Sequence, residues 1–193
     1  MTPAVLGPSW AARLTVVAAI ASLYAGAVNI NNSLLFPWLE YDDFSYLLFL
    51  PAGLKLFLVM LFGWRAVAGI LLGVAAVSLN EIPALTLLPA LTLGLTASMS
   101  TQLTLHACAR LLGIGYPWTG LGWPSLSLLA VAVGCMDALT IHMTLYGLGL
   151  DNTDNLLSDV LQGAFGRVAG AFVFLALSLD IRRRLHNDSP PAV

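Results

Sequence analysis

Apolar and polar stretches alternate along this chain with the spacing of a protein that crosses a membrane several times. Each apolar run has about 20 residues, the length that an α-helix needs to cross a hydrocarbon core of about 30 Å. Proline or glycine marks most boundaries between the runs. The pattern predicts an all-α membrane protein, a polytopic bundle of about six transmembrane helices. The predicted helices cover residues 10–30, 44–62, 64–79, 89–112, 124–147 and 156–179.

These helices form one predicted domain, residues 1–184, and the polar tail at 185–193 is expected to be disordered. In the first helix, Ala25-Gly26-Ala27 resembles a signal-peptidase site, so cleavage of this segment stays an alternative to a retained span. The predicted loops are shorter than about fifteen residues, which leaves no room for a soluble catalytic module. We therefore expect the protein not to be an enzyme.

Composition supports a lipid environment, since 59% of the 193 residues are hydrophobic and only 9% are charged. The basic residues are scattered except at the C-terminal end, so we expect no nucleic-acid partner. Cys108 and Cys135 lie in apolar runs without a neighbouring cysteine, a pattern that fits neither a zinc site nor a secreted disulfide framework. No metal and no cofactor are expected.

The order of charges along the chain predicts how the bundle is oriented. If the N-terminus is cytoplasmic, the basic residues fall on the cytoplasmic side and the acidic loop residues fall outside, as the positive-inside rule requires. The basic set is Arg13, Arg65, Arg110 and Arg182 to Arg184, and the acidic set is Glu40, Asp42, Asp43, Glu81, Asp151 and Asp154. Asp180 and Asp188 are the exceptions. Both termini are therefore predicted to be cytoplasmic.

Three ionisable residues lie well inside the predicted spans, namely Lys55, Asp137 and Arg167. A charge at such a depth costs at least about 2.5 kcal/mol, so each is expected to face the bundle and to have a partner. Asp137 and Arg167 both lie about 20 Å from the inner ends of their helices, and Lys55 lies about 12 Å from its own. We expect an ion pair between Asp137 and Arg167, either structural or part of a proton or substrate site. Lys55 either joins them, which creates a site for an anion, or extends towards the cytoplasm.

Further polar residues on neighbouring helices are candidate accessory groups of that site, namely Gln102, His142 and Asp159. His106 and His142 do not fit a haem, because their predicted depths differ by about 18 Å. Each histidine is instead expected to hydrogen-bond between helices.

Helix 6 has a stripe of small residues, Gly163, Gly166 and Gly170, beside Asp159 and Arg167. Small residues at this spacing let two helix backbones approach closely. We expect this stripe to be a helix-packing seam of the bundle.

Residues 49–80 resemble the signature of a known sensory family. Leu50-Pro51-Ala52-Gly53, Gly63-Trp64-Arg65, Gly69, Leu72-Gly73 and Asn80 look like the membrane-associated sensor domain of the first MASE type, and so do Gln102, Arg110 to Leu112, Asp159 and Gly163. The family has a second proline beside Pro51, a shorter spacing from Asp159 to Gly163, and usually eight helices. The resemblance implies an integral-membrane input module of bacterial signalling proteins, here shortened and without an output domain.

Two functions follow from these patterns. The first is a non-enzymatic sensory protein of the bacterial inner membrane that acts through another membrane protein or through self-association, as the resemblance implies. The alternative is a small solute-binding or transport subunit in which Lys55, Asp137 and Arg167 line a site for a small anionic ligand.

Overall fold

The computed structural model describes residues 9–35, 40–42, 45–82, 85–113, 122–150 and 156–187. This part of the chain is helical except for a small antiparallel hairpin, so the predicted all-helical class is confirmed. The α-helices are α1 Trp10–Ile30, α2 Pro51–Phe62, α3 Trp64–Glu81, α4 Leu87–Leu112, α5 Trp123–Gly147 and α6 Leu156–Asn187. A π-helix at Asn31–Leu35 extends α1, and the hairpin pairs β1, Glu40–Asp42, with β2, Ser45–Tyr46.

Most predicted helix boundaries agree with the structure to within two residues. The exceptions lie at the beginning of α2 and at the end of α6. The latter helix continues to Asn187, so the prediction of a disordered tail from residue 185 is wrong for its first residues. Residues 188–193 and the acidic loop at 151–155 lie outside the described part of the chain.

Polarity is distributed in the way expected for a protein surrounded by lipid. Large apolar side chains point outwards, and Leu88 and Leu111 are 75% and 85% exposed. Charged side chains are buried instead, among them Lys55 and Asp137, each 1% exposed. Four helical stretches are long and apolar enough to cross a membrane: Trp10–Leu35, Trp64–Glu81, Trp123–Gly147 and Leu156–Ser178. Length and composition therefore support a membrane protein.

α2 differs from its prediction because it has only 12 residues, about 18 Å of helix. The predicted span at 44–62 is wrong in its first part, where β2 and an irregular stretch lead up to Pro51. Proline fits the first turn of a helix, since the N–H that it lacks has no intrahelical partner there. Residues 45–50 lie outside any helix. A fully extended segment of six residues would be about 20 Å long.

The helices pack in well-defined relative directions. Gly69 of α3 lies against Ile20 of α1, and Gly73 lies against Tyr24, so the two helices run in parallel. α5 and α6 are antiparallel by the same reasoning. Gly134 of α5 lies against Val168 of α6, whereas His142, later in α5, lies beside Gly163, earlier in α6. α3 packs between α1 and α4, and α5 packs between α4 and α6. This arrangement encloses the polar groups described next.

Candidate functional site

Asp137 is the centre of a buried charge cluster that connects four helices. Its Oδ1 accepts hydrogen bonds from Lys55 Nζ of α2 and from Ser100 Oγ of α4, the latter at 3.0 Å. Its Oδ2 accepts a hydrogen bond from Arg167 Nε of α6, also at 3.0 Å. The structure therefore brings Lys55, Asp137 and Arg167 into direct contact, as expected if Lys55 turns inwards.

Both cations are held by further contacts. Lys55 Nζ donates to the Ala97 carbonyl oxygen at 3.3 Å, and the side chain is 1% exposed. Arg167 Nη1 donates to the Gly163 carbonyl oxygen at 3.0 Å, and its Cζ lies 5.6 Å from the centroid of the Phe49 ring. The latter is within the range of a cation–π contact. Lys55 therefore does not extend towards an aqueous surface.

Two cations share a single carboxylate in this cluster, which carries one net positive charge when all three groups are ionised. The nearest acidic residue on α6 is Asp159, eight positions before Arg167 and about 12 Å away along the helix axis. Asp159 is buried, but it is not among the residues that line the cavity described below. Within the cluster itself the excess positive charge lies on Lys55 and Arg167.

The non-helical segment before α2 explains how Arg167 is positioned. Its backbone lies directly on α6, where Phe49 N donates to the Gly166 carbonyl oxygen at 3.0 Å. A Cβ at Gly166 would lie 1.7 Å from the Tyr46 carbonyl oxygen, and one at Gly170 would lie 2.0 Å from that of Phe49. Gly166 and Gly170 therefore accommodate the non-helical segment before α2.

The prediction that a second helix packs on Gly166 and Gly170 is therefore wrong. These glycines do allow a close backbone approach, but the backbone that approaches them is the non-helical segment before α2. At Gly163 the available space is occupied by side chains, because an added Cβ would lie 2.8 Å from both Arg167 Nη1 and His142 Nε2.

A chain of asparagines connects the start of α2 with the end of α3. Asn31, 1% exposed, accepts a hydrogen bond from Leu50 N at 3.0 Å and donates to Asn32 Oδ1 at 3.4 Å. Asn32 Nδ2 in turn donates to Glu81 Oε1 at 3.3 Å. The first of these contacts satisfies the backbone N–H of Leu50 at the end of the unwound segment, as a lipid environment requires. Sequence reasoning missed them, although the three asparagines at the end of the first helix were a visible signal.

A cavity of about 620 Å³ lies between the helices, with Asp137 and Arg167 in its wall. Asn32 and Glu81 line it at the opposite end, where Glu81 is exposed. Tyr24 lies at the charged end with Asp137 and Arg167. The remaining lining residues are mostly apolar, namely Val28, Tyr46, Phe49, Val74, Val77, Ser78, Ile82, Leu93, Ala97, Ile141 and Leu145. The cavity is therefore a mostly apolar chamber with a charged floor and a polar mouth, and its volume is within the range of ligand sites.

Tyr24 is a residue of this cavity that sequence reasoning did not single out. Its side chain is 2% exposed, and its hydroxyl makes no hydrogen bond to any residue that the structure describes. An aromatic residue in an apolar run is usually a core residue, so nothing in the sequence distinguished it. Its ring packs against Gly73 of α3, where an added Cβ would lie 3.4 Å from Tyr24 Cδ1 and 2.9 Å from the Ala21 carbonyl oxygen.

The accessory residues are not all part of this site. Gln102 is buried and His106 is exposed, and they contact each other along one face of α4, with Gln102 Nε2 3.1 Å from His106 Nδ1. The expected interhelical hydrogen bond is therefore wrong for His106. His142 is fully buried and faces α6 beside Gly163. Neither Gln102 nor His142 lines the cavity.

The described residues contain no group of three His, Cys, Asp or Glu side chains that is able to hold a metal ion. Comparisons of the chain with protein-family models, with curated proteins and with solved structures found no match. The resemblance to the membrane-associated sensor domain therefore stays a prediction. The geometry of the cavity is the basis for a functional proposal.

Proposed function

We propose that this protein binds a small anionic solute in a cavity within the membrane, as a solute-binding or transport protein would. The observation that carries the proposal is the position of Arg167, which lines the cavity while its carboxylate partner is shared with Lys55. Arginine presents five N–H donors, and only two of them have partners among the described residues. The remaining donors are available to a ligand.

Charge balance favours an anion. An uncompensated charge inside a membrane protein costs several kcal/mol, and an opposite charge with good hydrogen bonds offsets that cost. A solute anion at Arg167 supplies the second negative charge that the cluster lacks. The same cost disfavours a cationic ligand at this end of the cavity, since two cations are already present.

The unwound segment before α2 is consistent with this role. Membrane transporters place binding sites near the middle of the bilayer, beside helices that are interrupted. Here Tyr46 and Phe49 of the interrupted segment line the cavity, and Phe49 also contacts Arg167. Together with α2 the segment is long enough for a discontinuous crossing, which supports six crossings. With the orientation predicted from charge, the mouth at Asn32 and Glu81 faces the outside.

The sensory role implied by the family resemblance stays a prediction. Solute binding is compatible with it. The proposal concerns the binding step alone.

Thermal unfolding of the purified protein in lipid nanodiscs tests the proposal. We expect small carboxylates to raise Tm at constant ionic strength, whereas the corresponding uncharged amides do not. Arg167→Lys keeps the charge and loses the forked donor geometry, so it should weaken the response by about tenfold in ligand concentration. Thr140→Val on α5, whose hydroxyl bonds its own helix, is the matched control and should respond like the parent protein.

Two results would contradict the proposal. One is that no carboxylate or inorganic anion shifts Tm up to the concentration at which salt effects begin. The other is that Arg167→Lys and the parent protein respond at the same ligand concentration.

A further inference from the structure

The length of the cavity is fixed by the helices that form its walls. Tyr24 and Asn32 line it on the first helix and its π-helical extension, and Asp137 and Leu145 line it on α5. Each pair is eight residues apart, which corresponds to about 12 Å along a helix. In the first pair both ends are polar, and the residues between them on the same face are apolar. An apolar solute that lies along the cavity from one end to the other therefore has a body of about this length.

The floor is suited to a carboxylate in particular. Arg167 has unused N–H donors there, and the Tyr24 hydroxyl has no partner among the described residues although the side chain is buried. A carboxylate has two acceptor oxygens, one for each of these donors. Asp137 already accepts hydrogen bonds from two cations, Lys55 and Arg167, and from Ser100, and those cations would repel a cationic head.

The mouth limits the charge of the other end. Glu81 lines it and carries a carboxylate, so a second carboxylate on the solute would meet a like charge. The side chains between floor and mouth are mainly aliphatic and aromatic, and Ser78 and Tyr46 are the lining residues there that carry a hydroxyl. The best match is a solute with one carboxylate and a hydrocarbon chain.

We propose that the solute is a straight-chain aliphatic monocarboxylate of medium length, with its carboxylate on Arg167 and Tyr24 and its chain end near Asn32 and Glu81. This inference rests on the proposed function and specifies its ligand. A length of about 12 Å corresponds to a chain of about eight to ten carbons. Longer chains extend past the mouth and gain no further contact.

Competition binding in lipid nanodiscs tests the inference, with radiolabelled octanoate as the probe and empty nanodiscs to subtract partition into lipid. Unlabelled competitors are acetate, butyrate, hexanoate, octanoate, decanoate and hexadecanoate. Each methylene from butyrate to octanoate should tighten binding by about fourfold, the value expected for transfer from water to an apolar site. The gain should end beyond decanoate. Suberate, the dicarboxylate with the chain length of octanoate, should compete poorly because of Glu81.

Tyr24→Phe isolates the proposed head-group contact. It removes one hydroxyl and keeps the ring that packs on Gly73, so the fold is retained and octanoate binding should weaken by about tenfold or more. Tyr146→Phe, an exposed tyrosine on α5, is the matched control and should leave binding unchanged. Equal affinity of Tyr24→Phe and the parent protein would overturn the assignment of Tyr24.

The outcomes separate this inference from the proposed function. If acetate or an inorganic anion binds and chain length has no effect, the anion site stands and the medium-chain ligand is wrong. Affinity that keeps rising to hexadecanoate would indicate a ligand supplied from the bilayer and contradict the length limit. If no anion in the series binds, both proposals fail.

Discussion

Replacing Asp137 with asparagine removes the carboxylate that Lys55 and Arg167 share while it keeps nearly the same shape. Opposite charges 3.0 Å apart, the distance between Arg167 Nε and Asp137 Oδ2, attract by about 5.5 kcal/mol at an effective dielectric constant of about 20. A comparable attraction to Lys55 is lost with it. Burying the carboxylate costs several kcal/mol, and the neutral asparagine avoids that cost, which offsets part of the lost attraction. We expect Asp137→Asn to lower the free energy of unfolding by about 3–5 kcal/mol, the usual cost of removing one partner of a buried pair.

A second substitution tests whether charge is the cause. In the double variant Lys55→Met with Asp137→Asn, one of the two unpaired cations is gone, so the protein should recover about 2 kcal/mol relative to Asp137→Asn alone. The assay is reversible unfolding in mixed micelles of a mild detergent and dodecyl sulfate, followed by tryptophan fluorescence. Thr140→Val, one turn along the same helix, should change stability by less than about 1 kcal/mol. The reasoning is refuted if Asp137→Asn behaves like Thr140→Val, or if the effects of the two substitutions simply add.

Three further predictions follow from the unwound segment and from the charge pattern. Gly166→Ala should destabilise the protein by about 3 kcal/mol or more, because its Cβ would meet a backbone carbonyl oxygen at 1.7 Å, whereas Gly26→Ala, with nothing within 4 Å, should be neutral or stabilising in the same unfolding assay. Asn31→Ala should lower the free energy of unfolding by about 1–3 kcal/mol, since the N–H of Leu50 loses its acceptor, whereas Asn29→Ala at an exposed position should leave it unchanged. Equal stabilities of the two variants would contradict a stabilising role of Asn31. Reporters active on one side of the membrane should place both termini in the cytoplasm, and an external C-terminus would contradict six crossings.

The helical architecture could be predicted from the sequence because each helix is an apolar run of nearly fixed length. The pairing of Asp137 with Arg167 could also be predicted, since helix rise alone places the two residues at the same depth. Lys55 could not be placed, because a long flexible side chain reaches either the cluster or the interface. Its contact with the Ala97 carbonyl depends on how α2 packs against α4.

The beginning of α2 could not be predicted because its residues are as apolar as those of a helix. The non-helical backbone is stabilised by groups far away in sequence, the carbonyl oxygen of Gly166 and the side chain of Asn31. The glycines of α6 did indicate a close approach, but glycine spacing does not reveal whether the partner is a helix or a strand. Tyr24 was missed because its role depends on the cavity, which is a property of the packed helices.

The central claim is that a carboxylate binds to Arg167 inside the bundle. The most direct test is a solid-state NMR distance between the ¹³C-labelled carboxylate of bound octanoate and the ¹⁵N-labelled guanidinium nitrogens of arginine in lipid bilayers. A hydrogen-bonded pair requires a carbon–nitrogen distance of about 4 Å or less, and the dipolar coupling should disappear in Arg167→Lys. A bound carboxylate with no arginine coupling, or a coupling that persists in Arg167→Lys, would contradict the account.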